Sequence, residues 1–167
     1  KTMAKSFTLH KVGRIPWIAY DFNLEIPAEF RLLTTEFQAG SKHLAFQWRL
    51  RRLYLWQISL ATIALRKHNS VENWAAQLLS NFKEIRVRRF EPVSKGILAA
   101  RKRVSFPLGH YDEIGRWCFK YYARCAHDPN TDRLYVWVFN YRSQKDLTHL
   151  DGSIGPYELR DKETREL

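Results

Sequence analysis

Hydrophobic and polar positions change period along the chain, and the longest apolar run organises the rest. Ser41 to His68 contains no Pro and no internal Gly. Phe46, Leu50, Leu53 and Tyr54 recur at steps of three and four, while Leu53 to Leu65 is apolar nearly all round. That pattern predicts one long helix of about 40 Å at the usual rise per residue. Its second half is short of the 18 to 20 apolar residues that a bilayer span requires, so a buried core helix is the preferred expectation.

A second stripe, Val71, Trp74, Ala75, Leu78, Leu79 and Phe82, predicts a shorter helix over Asn69 to Phe82, with Asn69 and Glu72 spaced as a capping box. Elsewhere the period is two. Trp17 to Ile26 alternates without a break and predicts a strand, paired with a weaker extended segment over Lys5 to Ile15 in an N-terminal hairpin. Pro27 to Phe37 is expected as a short helix opened by Pro27, although Thr34 and Thr35 leave a strand possible.

After Lys83 the alternation of Ile85 and Val87 with Arg86 and Arg88 predicts a strand, Glu91 to Gly96 a break, and Ile97 to Phe106 a further strand. Arg116 to Ala126 and Arg133 to Arg142 are expected to pair through the turn HDPNTD. In that hairpin Leu134, Val136 and Val138 lie on one face, and Tyr135, Trp137, Phe139 and Tyr141 on the other. The second face has three possible uses: a further core layer, a dimer surface, or a platform for stacked bases.

Together these elements predict an α+β fold, a mostly antiparallel sheet with one long and one shorter helix packed on one face. A single domain over 1–143 is expected, followed by a polar C-terminal extension over 144–167. No secretory signal pattern is read in the first forty residues, and Met3 is a possible initiator.

Composition adds a partner class. The 167 residues carry 28 Lys and Arg against 17 Asp and Glu, a net charge of +11. Residues 1–40, 41–110 and 111–167 contribute +1, +11 and −1, so the whole excess lies in the middle segment. Charge gathered in this way suits a polyanion, either nucleic acid or anionic lipid. Within that segment Arg49, Arg51, Arg52, Arg86, Arg88, Arg89, Arg101, Lys102 and Arg103 are the candidate phosphate contacts, and Trp48, Tyr135 and Trp137 the candidate stacking residues. In a helix, Trp48, Arg52 and Trp56 at steps of four would set the guanidinium between two indoles. A solvated basic surface is the competing reading of the charge.

Candidate chemistry is sparse. No CxxC, HExxH, calcium loop, Walker loop or dinucleotide fingerprint occurs, and no metal or cofactor is expected. Cys118 and Cys125, placed on one strand, would lie about 23 Å apart and could not pair, which suits a reducing cytoplasm or nucleus. One loop, Gly109 to Glu113, sets His110 beside Asp112 and Glu113 near many arginines, the parts of a small ribonuclease. No helix-turn-helix, KH or zinc-finger pattern is present, and the Arg133 to Tyr141 strand lacks the glycines of an RNA-recognition motif.

The favoured expectation is a non-catalytic, intracellular polyanion-binding protein, with RNA or single-stranded nucleic acid as partner, acting as a small component of a larger assembly. A His110 ribonuclease and a matrix-type structural protein on anionic membrane are the alternatives.

Overall fold

The structure is a computed structural model. It describes residues 13–19, 22–85, 90–101 and 120–150. The chain divides into two compact units, one of them Arg31–Leu147. The other contains a two-stranded hairpin, β1 (Arg14–Ala19) and β2 (Phe22–Pro27), in register from Arg14 opposite Pro27 to Ala19 opposite Phe22. The unbroken alternation of Trp17 to Ile26 is therefore two strands. Lys5 to Val12 of the expected first strand lies outside the described residues.

The larger unit is built on a seven-stranded antiparallel sheet in the order β3-β4-β5-β9-β8-β7-β6. Its strands are β3 (Arg31–Gln38), β4 (Ser41–Trp48), β5 (Arg51–Ser59), β6 (Glu91–Ser94), β7 (Ile97–Arg101), β8 (Lys120–Asp128) and β9 (Arg133–Tyr141). Among the described residues three short helices occur: α1 (Ala61–Leu65), α2 (Val71–Asn81) and α3 (Gln144–Leu150).

The expected pairing of one long helix with a shorter one is overturned. Ser41 to His68 is the β4–β5 hairpin followed by α1. Both faces of β4 and β5 are buried: Ala45, Tyr54 and Trp56 on one, Leu44, Phe46, Leu53 and Leu55 on the other. A strand covered on both sides reads as a continuous apolar run, which periodicity cannot separate from a buried helix. The turn also lacks its usual signal. Arg49 holds the left-handed conformation at φ 54°, a position normally given to Gly or Asn.

Pro27 to Phe37 is likewise not helical; β3 occupies most of it, as Thr34 and Thr35 favour. The expected break at Glu91 to Gly96 is β6 and a tight turn into β7. Gly96 takes φ +71° there, and a Cβ on it would stand 2.8 Å from the Cys125 carbonyl oxygen. That close approach is a ladder contact, because the Cys125 N–H donates to the Gly96 carbonyl at 2.8 Å.

The second predicted helix is present as α2. Ser70 caps it by accepting from the Asn73 N–H at 3.2 Å, in place of Asn69. Glu72 does not close a capping box; its carboxylate accepts from the Gly96 N–H at 2.7 Å and so ties α2 to the β6–β7 turn. Trp74, Ala75 and Leu79 of α2 are buried on the sheet face formed by Leu98, Tyr121, Ala123, Leu134, Val136 and Val138. This is the core, and α2 lies over β6, β7 and β8. The β8–β9 turn caps α1 from outside: Asp132 accepts from the Thr62 N–H at 2.8 Å and from its hydroxyl at 2.7 Å. Among the described residues no helix is long and apolar enough to cross a membrane.

Candidate nucleic-acid interface

Alternation along β8 and β9 fixes which side chains share a face, since residues directly opposite one another in an antiparallel pair point the same way. Trp137 stands opposite Leu55 of β5 on one side and Arg124 of β8 on the other, and Arg124 stands opposite Ile97 of β7. One step along, Tyr135 faces Gln57 and Ala126. In the other direction Phe139 faces Tyr122, and beyond it Tyr141 faces Lys120. The face turned away from α2 thus carries Lys120, Arg124 and five aromatic rings on two adjacent strands.

Burial grades across this face. Leu44, Phe46, Leu53 and Leu55 on β4 and β5 are inaccessible, and Phe139 and Trp137 nearly so. Tyr135, Tyr122 and Tyr141 are half-buried, while Arg124 and Lys120 are exposed. The Tyr135 and Trp137 rings stack with centroids 5.9 Å apart and planes inclined by 18°. Lys120 and Arg124, four positions apart on one strand, project about 13 Å from each other. Burial, and then the neighbouring Tyr122, raise the Tyr141 phenol above its ordinary value. It is therefore a neutral hydrogen-bonding group at physiological pH.

The end of the face near β4 holds Lys42 and Arg133. Burial lowers the Lys42 ammonium and the Arg133 charge lowers it further. Between Lys42 and Tyr135 sits Gln57, only 1% exposed, with neither amide atom hydrogen-bonded. A buried amide without partners costs about 1–3 kcal/mol.

Sequence-predicted residues distribute unevenly. Tyr135 and Trp137 lie together on this face. Arg49 and Arg51 gather at the β4–β5 tip, with guanidinium carbons 5.8 and 4.8 Å from the Trp48 ring centroid. Arg51 is held there by Asp146: its Nη2 donates to Oδ1 at 2.7 Å, while the Arg142 and Ser143 N–H groups donate to Oδ2 at 2.9 and 3.1 Å. Burial would raise the Asp146 carboxyl, but the Arg51 hydrogen bond, the two backbone donors and the Arg51 charge outweigh it and hold the group down at about 2.

Arg52 points to the opposite face, where its Nη1 is 3.3 Å from the Tyr54 hydroxyl and 3.8 Å from Glu84. The expected Trp48–Arg52–Trp56 stack therefore does not form: Trp48 pairs with Arg51 across the turn and lies on the face opposite to Arg52, and the four-residue step from Arg52 to Trp56 along β5 spans about 13 Å. Arg101 closes β7 in register with Lys120. Arg86, Arg88, Arg89, Lys102 and Arg103 lie outside the described residues, as do His110, Asp112, Glu113 and Cys118.

Lys120, Tyr122 and Arg124 were not among the residues singled out by sequence. They lie outside the strongly basic segment, in a stretch of net charge −1. The signal that finds them is the register, which sets Arg124 opposite Trp137.

On the α2 side, His43 is 4% exposed and neither ring nitrogen has a hydrogen-bond partner. Its ring stacks on Trp56 at 4.7 Å and meets the edge of Phe82 at 5.1 Å. Burial lowers its proton affinity, against the opposing pull of Glu36 and Glu84. The Cys125 thiol is pushed up to about 12 by burial and by Glu72, which makes it a packing residue, not a nucleophile. No cluster of three or more potential metal ligands occurs among the described residues.

No known protein family and no curated protein matches the chain.

Proposed function

We propose that the protein binds single-stranded nucleic acid, RNA above all, without transforming it, as a small component of a larger assembly. The observation that carries this reading is the exposed Arg124 guanidinium set opposite Trp137, beside the stacked Tyr135 ring, on a face that also exposes Lys120 next to Tyr122 and Tyr141. Cations follow a phosphate backbone while flat side chains accept bases of any identity, and strands supply both at regular spacing. Tyr135 and Tyr122 act as stacking surfaces, Arg124 and Lys120 as phosphate contacts, and Arg49 at the exposed β4–β5 tip adds a further cation. Arg51 serves the fold through Asp146.

The test is fluorescence anisotropy with labelled oligouridylate, duplex DNA and anionic vesicles. Binding to the single strand that weakens steeply with salt is expected, and Tyr135→Ala weakens it by about tenfold. Absence of single-strand binding at low salt, or binding only to vesicles, would overturn the reading.

A further inference from the structure

We propose that β3 is a self-association edge, and that a second copy of this chain adds to it in antiparallel register to join two seven-stranded sheets across a two-fold axis. The two ends of the sheet differ in a way that calls for explanation. β6 is four residues long and carries Pro92, which has no N–H to offer. β3 is eight residues long, contains no Pro and no Lys, and pairs only with β4 among the described strands. All its residues are exposed, including Leu32, Leu33 and Phe37 at 36, 48 and 44%. A long edge of this composition is a template for another strand.

What selects a second copy is the symmetry of the strand itself. Its ladder to β4 shifts register between Leu32 and Thr34, so Arg31 shares a face with Thr34 and Glu36, and Leu32 shares the other with Thr35 and Phe37. In a two-fold antiparallel pair every residue must meet one from its own face. The longest pairing that satisfies this through both irregularities has Leu33 and Thr34 straddling the axis. It places Leu32 opposite Thr35 of the partner subunit and Arg31 opposite Glu36 of the partner subunit. Arg31 and Glu36 are the charged residues of β3, and this register joins them with opposite sign at both ends of the pair. Because the axis of such a pair runs perpendicular to the sheet, both copies present the same face to the same side.

The experiment is sedimentation velocity on nuclease-treated full chain, run as wild type, Arg31→Glu, Glu36→Arg and an equimolar mixture of the two variants. Wild type sediments as a concentration-dependent dimer. Each variant alone meets two like-charge contacts per pair and sediments as a monomer. In the mixture both contacts again join opposite charges, and the dimer returns. Because Glu36 also lies 3.9 Å from His43, hydrogen exchange on the wild type gives a reading independent of any variant: β3 amides slow as protein concentration rises. A wild type that stays monomeric at hundreds of micromolar, a dimer indifferent to both reversals, a mixture that stays monomeric, or β3 exchange that ignores concentration would each overturn the proposal.

Discussion

Asp146→Ala is the sharpest probe of how the β4–β5 tip is held. The carboxylate is 7% exposed and the paired Arg51 side chain 18%. It accepts one hydrogen bond from Arg51 and one each from the Arg142 and Ser143 N–H groups at the start of α3. Truncation strips three donors of their acceptor and leaves a largely buried guanidinium without this counter-charge. Breaking a fully buried pair costs about 3–5 kcal/mol, but Arg51 retains the Trp48 ring at 4.8 Å and some solvent, so about 2–3 kcal/mol is expected.

A second route gives a similar figure. Depression of the carboxyl from 3.8 to about 2 is worth about 2 kcal/mol by linkage. The sign follows from the direction. A depressed folded value means stability that is present above the unfolded value of 3.8 and is lost as pH falls through about 2. Urea denaturation of wild type and Asp146→Ala at neutral pH, repeated from pH 5 downward, measures both parts. The two proteins should differ by about 2–3 kcal/mol at neutral pH and converge in acid. A difference below about 0.5 kcal/mol, the range of ordinary surface positions, or one unchanged down to the lowest pH, would refute the pairing.

Gly96→Ala should cost about 2–3 kcal/mol, because a side chain at positive φ is strained and its Cβ meets the Cys125 carbonyl; thermal unfolding checks it, and a neutral substitution would contradict the β6–β7 turn. Gln57→Met, which removes an amide with no partners while keeping its length, should raise stability by about 1 kcal/mol in urea titration. For His43 the folded value lies below the ordinary 6.5, so the unfolded chain takes up the proton first. Stability should hold above that value and fall as pH drops through it, and in His43→Phe this component should vanish; identical pH profiles for the two proteins would refute it.

Sequence made the C-terminal hairpin legible because its strands alternate cleanly and HDPNTD marks the turn. It also revealed α2, whose stripe has a true helical period over a short, capped span. The central hairpin stayed hidden for two physical reasons. Burial on both faces erased the alternation of β4 and β5, and a turn made by Arg49 and Leu50 carries none of the usual residues. The difference matters for the site. A helix would group Arg49, Arg51 and Arg52 as one basic surface, whereas a strand sends Arg51 and Arg52 to opposite faces and commits the first to Asp146 and the second to the neighbourhood of Glu84. Aromatic positions on β9 share one face in sequence and in structure because their alternation already has the period of a strand. Arg124 gains its place from pairing across to Trp137, a relation that spacing along one strand cannot express.

The most direct measurement is the salt dependence of single-stranded RNA affinity for wild type, Arg124→Glu and Arg51→Ala. Removal of a phosphate contact lowers the slope of log affinity against log salt by about 1, so Arg124→Glu should bind more weakly and with a shallower slope. Arg51→Ala, once allowance is made for its lower stability, should follow wild type. Equal slopes for wild type and Arg124→Glu, or a loss of affinity confined to Arg51→Ala, would contradict an interface along β8 and β9.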